Sequence, residues 1–409
     1  MVELCHGCGG CRGPQETTGG VMCPTYRASE EEITATRGRA NLLRQAMSGD
    51  LDADATDVEF MHEVLDLCIG CKGCSKDCPS EVDLAKLKAE VTHEHHQRHG
   101  ASLRDKLFAN VDRLNALGSA LAPLSNWASK VPGARTVMEK TIGIAKDRTL
   151  PTFHRESLVD WFDDRGGSRV PEAEADRHAL LFPDAYTTYN HPESGKAAVR
   201  TLEAANVHVR VPRDVSGSGR PPFSKGFLDR AREQAATNVD ALAPRVRDGW
   251  DVVLVEPSDA VMFQSDYRDL LDGDDVETLA DNAYGVMEYL DAFRLDEALE
   301  TEADGSLTYH GHCHQKSTQK DHHAVGVLRR AGYAVDPLDS GCCGMAGSFG
   351  YEAEHFSMSK AIGSILFDQV DDSPGEELVA PGASCRTQLG DHYDAEPPTP
   401  VEKLDAALR

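Results

Sequence analysis

The segment Cys68-Ile-Gly-Cys-Lys-Gly-Cys-Ser-Lys-Asp-Cys-Pro79 sets four cysteines in the pattern C-x2-C-x2-C-x3-C-P. That is the spacing of a bacterial ferredoxin cluster loop. Three thiolates two residues apart wrap one corner of an iron–sulfur cube, and Gly70 and Gly73 between them let the backbone turn tightly. The fourth cysteine, just before proline, ligates the other cluster in a two-cluster ferredoxin. The loop therefore asks for a partner. Cys5, Cys8 and Cys11 repeat the spacing, and Cys23-Pro24 completes the set. The expected ligand sets are Cys5, Cys8, Cys11 and Cys78 for one [4Fe–4S] cluster, and Cys68, Cys71, Cys74 and Cys23 for the second. A structural zinc site competes, but paired CxxCxxC triplets with two distant Cys-Pro units fit it poorly.

Four further cysteines stand in His310-Gly-His-Cys-His-Gln-Lys316, Ser340-Gly-Cys-Cys-Gly-Met-Ala-Gly-Ser-Phe-Gly350 and Ala383-Ser-Cys-Arg386. Cys313, Cys342, Cys343 and Cys385 are expected at strand ends or in the following loops, where ligands gather in an open α/β sheet. Adjacent Cys342 and Cys343 cannot close an unstrained disulfide with each other, so a metal is the better reason for them. His310, His312 and His314 alternate around Cys313 and read as one side of a strand. Polar packing at the strand end is the plain reading for them, and hydrogen bonding to a cluster or proton handling the sharper one.

The elements that must position these residues change character along the chain. Thr36–Met47 and Asp57–Leu67 have helical apolar spacing, the second running directly into Cys68. Ser80 is the expected cap of a helix with Leu84, Leu87 and Val91 facing inward. His93, His95 and His96 are expected at a solvated helix end. Residues 1–98 thus read as a helical two-cluster domain, and 99–170 as a helical connector. In the connector Leu103, Leu107, Val111 and Leu114 form a core stripe, and Asp163–Ala175 is a linker.

From His178 the order becomes strand, helix, strand, helix. Strands are expected at Ala179–Phe182, Val207–Val211 and Val252–Val255, and again at Leu307–Cys313, Tyr333–Leu338 and Leu378–Ala380. The intervening helices are placed near Lys196–Ala205, Gly226–Leu242, His322–Ala331 and Glu354–Phe367. Two tandem α/β units follow, 171–300 and 301–409. The first keeps the frame and loses the cysteines: Gly217 and Ser218 stand where the double cysteine would be, Asp259 where Cys385 is, and Asp184 where Cys313 is. Ser218 and Asp259 are 41 residues apart and Cys343 and Cys385 are 42 apart, which supports the repeat. The first unit reads as structural. The fold class is α+β multidomain, helical ferredoxin-type domain first.

Composition bounds the function. The 409 residues suffice for two to four domains at ~100–200 residues each. A net charge of −26, spread along the chain, argues against nucleic acid, whose phosphates need basic patches. Surface carboxylates in such excess suit concentrated salt, which screens their repulsion, and point to a halophilic source. No apolar run reaches membrane-span length, and the N-terminus lacks signal-peptide regions. Cysteines in motif spacing then imply a reducing cytoplasm and metal ligation.

Over nearly its whole length the chain resembles the iron–sulfur part of FAD-linked D-2-hydroxyacid dehydrogenases. That group includes the iron–sulfur subunits of glycolate oxidase and anaerobic glycerol-3-phosphate dehydrogenase, and fused enzymes acting on D-lactate or D-2-hydroxyglutarate. The first 98 residues also resemble the helical ferredoxin-type domain of succinate dehydrogenase iron–sulfur subunits. The segments Gly20-Val-Met-Cys-Pro-Thr-Tyr26, Thr36-Arg-Gly-Arg-Ala40 and those around Cys313 and Cys342 carry the likeness, the last two as cysteine-rich domains of the CCG type. The resemblance implies two [4Fe–4S] clusters, a third iron–sulfur cluster or zinc at Cys313, Cys342, Cys343 and Cys385, and FAD on a partner chain. An FAD-binding dehydrogenase subunit is the expected partner, with quinone or another membrane-associated carrier as acceptor at the inner membrane face. In the fused relatives an FAD domain precedes this region; here the chain opens almost on Cys5, so a separate flavoprotein or a split gene is expected.

In CCG domains with the full pattern a Cys-x-x-Cys ends the motif and can hold a non-cubane cluster used on disulfides. This sequence has Cys385-Arg-Thr-Gln388 and lacks that last ligand. An electron-transfer subunit is therefore the leading expectation. A heterodisulfide-reductase component, or a ferredoxin-type carrier with a zinc-bound CCG module, are the alternatives.

Overall fold

The computed structural model describes residues 1–13, 21–49, 57–128 and 130–409. Gly20 of the first resemblance segment lies outside them. The N-terminal part is mostly helical: α1 (Pro24–Ser29), α2 (Thr36–Ser48), α3 (Val58–Leu65), α4 (Gly73–Asp77) and α5 (Leu84–His99). Helix α2 stops at Gly49, whose left-handed φ of 78° closes the last turn. Asp57 caps α3. The expected cap at Ser80 is corrected: α5 starts later, where Asp83 Oδ1 accepts from Lys86 N at 3.0 Å. Glu81 sits at a φ of 53°, outside the helical region, so the helix cannot begin at Ser80.

The last residues of α5, 97–99, are exposed, but His93, His95 and His96 are half-buried by packing rather than simply solvated. His95 stacks between His62 and His99, with ring centroids 4.3 and 4.9 Å away, and His96 packs on Phe227 at 4.8 Å. His93 Nδ1 lies 3.1 Å from Gly226 O. A Cβ on Gly226 would come within 2.6 Å of Thr92 Cγ2, so the absent side chain is what lets this loop reach α5. The helix is thus a docking surface for the α/β part.

Helices Leu103–Phe108, Val111–Ala120, Leu124–Ala128 and Ala134–Ile142 form the connector. The expected core stripe is also corrected, since Leu103 is 64% exposed and Leu114 is exposed too. The inward face of Val111–Ala120 is instead Asn115, Gly118 and Ser119. Asn115 donates to Asn190 Oδ1 at 2.6 Å, Ser119 to His154 O at 2.5 Å, and Gly118 lies under the Phe153 ring. Small polar residues make the tight contact, and the leucines are left outside.

Strands β1 (Arg177–Leu181), β2 (Val207–Arg210), β3 (Trp250–Leu254) and β4 (Ala283–Gly285) form a parallel sheet of order β2-β1-β3-β4. Strands β5 (Ser306–Tyr309), β6 (Ala334–Pro337) and β7 (Glu377–Val379) form a second, β6-β5-β7. The shared order, with first strand in the middle, is the structural form of the repeat. Strand β4 is an addition the sequence pattern does not announce, because Ala283–Gly285 is too short to show a period. Helices Pro192–Ala204 and Leu228–Arg247 make the crossovers of the first unit, His322–Ala331 and Phe356–Asp372 those of the second. Val207, Val209 and Val253 share one buried cluster with Leu307, Val327, Leu328 and Val379, so the two units have a common core.

Candidate metal centres

Cys5, Cys11, Cys23, Cys68, Cys74 and Cys78 are buried together with Met22, Leu43, Leu65 and Leu84. Cys71 is half-buried, and Cys8 lies at the surface. The segment before Cys23 is pinned to the second loop by Asp77, whose Oδ2 accepts from Val21 N at 3.1 Å and Met22 N at 3.0 Å. Gly73 makes that approach feasible, since a Cβ there would fall 2.7 Å from Val21 Cγ1. The outcome is a small cleft, partly open to solvent, lined by Cys23, Cys68, Cys71 and Cys74. This brings Cys23 to the second triplet, across the sequence.

The surroundings of these sulfurs suit an anionic cluster. Thr36 N points at Cys23 Sγ (3.1 Å) and Arg37 N at Cys11 Sγ (3.3 Å), both from the first turn of α2, where amides have no intrahelical partner. Leu84 N, at the start of α5, approaches Cys74 Sγ at 3.4 Å. Arg39 is 2% exposed on the cleft wall and its Nε has no partner. Lys88 Nζ donates to Asp66 O and Cys68 O, each at 2.7 Å. Arg39 is buried and Lys88 half-buried, and cations so withdrawn from water need a negative group for company; an iron–sulfur centre with four thiolates is one. Burial pushes the Cys11 thiol up to about 11 and raises those of Cys23, Cys71 and Cys74. Free thiols here stay protonated at neutral pH, and a bound cation would ionise them. Sequence reasoning missed Arg39, Lys88 and Asp77, although Arg39 lies in a segment that carries the resemblance.

The second cysteine group gathers beyond the carboxyl ends of β5, β6 and β7. The expected strand to Cys313 ends at Tyr309, the last residue paired with β6 and β7. Cys313 instead opens the helix Cys313–Ser317, which His312 caps. The three histidines therefore do not share one side of a strand. His310 turns toward Cys343 and Cys385, His312 Nδ1 accepts from His314 N, and His314 Nε2 lies 3.1 Å from Gly70 O. Cys342 lies against Cys313 and Cys343, and Cys343 against Cys385 and His310. Gly344 N points at Cys342 Sγ at 3.3 Å. Gly344 has φ +88° and stands where a Cβ would be 2.4 Å from Ser359 O, so no other residue suits the turn. Gln388, at the position of the missing ligand, is buried and engaged. Its Nε2 donates to Ser359 O at 3.0 Å and its Oε1 accepts from Arg148.

In the first unit the corresponding residues also meet. Ser218 Oγ donates to Asp259 Oδ1 at 2.7 Å, and Asp184, after β1, caps the helix Ala185–Tyr189. Burial pushes the Asp184 carboxyl up to about 7, and burial, with Asp184 and Glu256 nearby, raises that of Asp259. Two buried acids, Asp259 hydrogen-bonded to Ser218 and Asp184 to Thr187, fill the place that thiols occupy in the second unit.

The two cysteine regions touch. Ile69 and Cys71 pack on the cluster formed by Val21, Cys313, Cys342 and Ile362. His314 Nε2 meets Gly70 O, and Lys76 Nζ donates to Lys316 O at 3.0 Å. Lys72 pairs with Asp266 of the first unit. His355 bridges Asp66 (2.9 Å) and Glu352 (3.0 Å).

Residues 1–82 match the model of the 4Fe-4S dicluster domain, and residues 307–390 that of the cysteine-rich domain. The chain is similar to one of the subunits of the anaerobic glycerol-3-phosphate dehydrogenase of Escherichia coli K12, 26% identical over 75% of this chain and 78% of the relative. It is 24% identical to the glycolate oxidase iron-sulfur subunit of the same organism, over 95% and 90%. Against the D-2-hydroxyglutarate dehydrogenase of that organism it is 25% identical over 90% of this chain, which spans 40% of the relative. The chain thus carries an N-terminal iron–sulfur domain and a C-terminal cysteine-rich domain, and is homologous to the iron–sulfur subunits of FAD-linked D-2-hydroxyacid and glycerol-3-phosphate dehydrogenases.

Proposed function

We propose that this chain is the iron–sulfur electron-transfer subunit of an FAD-dependent dehydrogenase acting on a D-2-hydroxyacid of lactate, glycolate or 2-hydroxyglutarate type, or on glycerol 3-phosphate. An FAD-binding subunit oxidises the substrate, and this chain passes the electrons to quinone or another carrier. In this reading residues 1–98 hold two [4Fe–4S] clusters, on Cys5, Cys8, Cys11 and Cys78 and on Cys23, Cys68, Cys71 and Cys74. Residues 99–170 are the connector, 171–300 a scaffold, and 301–409 the CCG site with Cys313, Cys342, Cys343 and Cys385. The observation that carries it is the packing of Cys71 and Ile69 on the buried cluster of Val21, Cys313, Cys342 and Ile362, which joins the cysteine regions through an apolar contact.

When bound, the clusters supply one-electron transfer, with potentials set by burial, charge and hydrogen bonds to sulfur. The chain's own residues provide those controls. Thr36, Arg37 and Leu84 aim amides at sulfur, buried Arg39 and half-buried Lys88 supply positive charge, and Met22, Leu65 and Leu84 exclude water. A zinc ion at the CCG site is the second reading, favoured by the imidazole of His310 beside two thiols. Thiol–disulfide chemistry is disfavoured, because Gln388 offers no sulfur and is locked in place.

Among the described residues no helix is long and apolar enough to cross a membrane. The connector supports a membrane-associated acceptor at the inner face all the same. Leu117, Leu121, Leu124, Trp127 and Val137 are exposed, and so are Lys106, Arg113, Lys130, Lys140 and Lys146 in an otherwise acidic chain. Exposed leucine and tryptophan with flanking cations suit the interface of an anionic bilayer.

The test is an anaerobic preparation with iron, zinc and acid-labile sulfide counted. About twelve irons per chain fit three four-iron centres, and about eight with one zinc fit the zinc reading. A reduced-cluster EPR signal should appear with hydroxyacid or glycerol 3-phosphate only when the flavoprotein is added. Reduction of a heterodisulfide by the isolated chain would overturn the proposal.

A further inference from the structure

Strand β5 ends at Tyr309, and the next residue, His310, is completely buried. Its Nδ1 lies 2.6 Å from Ser340 Oγ. Its Nε2 has no hydrogen-bond partner. A buried ring nitrogen in that state needs a reason, because nearly all buried polar atoms are satisfied. The atoms that face it are sulfurs: His310 Nε2, Cys343 Sγ and Cys385 Sγ all lie within 4.8 Å of one another. With Nδ1–H donating to Ser340 Oγ, Nε2 presents its lone pair to those sulfurs, the state required of a metal ligand. Ser340 is itself fixed, since its carbonyl accepts from Lys316 Nζ at 2.5 Å and its side chain is buried. An imidazole oriented by a second residue on its far nitrogen is the arrangement metal-binding histidines show.

His314 Nδ1 also lacks a partner, but of the three histidines only His310 groups with the cysteines. His312 Nδ1 accepts from His314 N, and His314 Nε2 is shared between Gly70 O and Arg220. Gln388, where the Cys-x-x-Cys pattern would put its last thiol, is turned away into hydrogen bonds with Ser359 and Arg148. That corner of the site therefore has no thiol, and the uncommitted nitrogen of His310 stands beside Cys343 and Cys385.

We infer that His310 Nε2 is a direct ligand of the metal centre at the cysteine-rich site, taking one of the four donor positions of a four-iron cluster or tetrahedral zinc beside Cys343 and Cys385. The inference rests on the reading that this site holds iron–sulfur or zinc. An imidazole is neutral where a thiolate is negative, so the centre carries less negative charge than an all-cysteine one. For iron–sulfur this raises the reduction potential, as histidine for cysteine does in Rieske centres.

The test uses the full holo chain, prepared anaerobically with 15N-histidine. In the iron-loaded form, electron–nuclear double resonance of the reduced centre should show a strongly coupled nitrogen that follows the isotope. The coupling should vanish in His310→Ala and return when imidazole is added to His310→Gly. His310→Cys should lower the potential of this centre and leave the two others unmoved. In the zinc-loaded form, X-ray absorption at the zinc edge should show a nitrogen shell at about 2.0–2.1 Å beside sulfur. That shell should be lost in His310→Cys. A loaded wild-type centre with no strongly coupled histidine nitrogen, an all-sulfur zinc shell, or a coupling that survives in His310→Ala would each overturn the inference, as would a site that takes up neither metal. The wild-type spectra decide the matter even where a variant does not fold. Failure of the relay proposal would look different: loaded centres that the flavoprotein and its substrate do not reduce.

Discussion

His355 couples the ferredoxin-type loop to the cysteine-rich unit, and the coupling should depend on pH in a defined direction. Its ring lies 2.9 Å from Asp66, two residues before Cys68, and 3.0 Å from Glu352, just beyond the double-cysteine loop. Burial works against a charged ring, but hydrogen bonds to Asp66 and Glu352 outweigh it and hold the pKa at about 9, against 6.5 for a free histidine. The folded value is raised, so the stabilisation is fully present below pH ~6.5 and is lost as pH rises through ~9. The shift corresponds to at most about 3 kcal/mol. Asp66 is half-exposed and screened, which cuts this to about 2 kcal/mol. The assay is hydrogen exchange in the 64–72 and 349–356 segments, comparing wild type with His355→Gln at each pH. At pH 6 the variant should lose roughly 30-fold in protection, following the conversion of about 2 kcal/mol, and by pH 10 the two should converge. A difference that stays constant from pH 6 to 10 would refute the charged-bridge reasoning. One that grows with pH would reverse its sign.

Four further outcomes follow from the same contacts. Cys71→Ser should lower iron by about four per chain and remove one EPR signal, leaving the other ferredoxin-type centre in place. Arg39→Leu removes the buried charge beside Cys23 and should lower the potential of the second cluster, measured by EPR-monitored redox titration. Arg148→Met strips partners from Asp391, Gln388, Ser359 and the Gly350 carbonyl, and should cost ~3–5 kcal/mol, read as loss of soluble, cluster-loaded protein or a lowered melting midpoint. Trp127→Ser and Leu124→Ser should each weaken binding to anionic vesicles by about tenfold or more, from the ~1.5–3 kcal/mol of a buried large apolar side chain. Co-sedimentation in concentrated salt isolates that apolar part, because ion attraction is then screened.

What the sequence made legible was what depends on spacing. Cysteine triplets, Cys-Pro units and the 41- and 42-residue intervals are one-dimensional quantities, and the parallel sheets with matching strand order reproduce the interval between Ser218 and Asp259 as a hydrogen bond. What it hid depends on which neighbour a face meets. The leucines of Val111–Ala120 have helical periodicity, yet the buried face is the small polar one, because Asn115 and Ser119 find partners in Asn190 and His154. His310, His312 and His314 alternate like a strand, but the ladder with β6 and β7 ends at Tyr309, and a helix then sends each ring a different way. Arg39 and Lys88 were invisible as site residues because a lone basic residue in a helix has no pattern; only the burial of Arg39 and the bond of Lys88 to the Cys68 carbonyl single them out.

The unit without cysteines has a role that its acid pair alone does not explain. Helix Ala383–Tyr393, which carries Cys385, begins at Gly382 and has no side-chain cap of its own. A larger residue is excluded there, since a Cβ would lie 2.5 Å from His312 Cδ2. The cap comes from the other repeat: Glu256 Oε2 accepts from Ala383 N at 2.9 Å, while its Oε1 is held by Ser258. A carboxylate at a helix N-terminus satisfies a free amide and complements the helix dipole. Arg220 of the same unit stands 3.2 Å from His314 in the helix opened by Cys313, and Asp266 takes Lys72 from the ferredoxin-type loop. The ligand-free repeat thus touches the helix of Cys385, the helix of Cys313 and the loop of Cys71. With Ser218 and Asp259 where the second unit has thiols, it supplies the polar groups by which the ligand-bearing elements are set against one another.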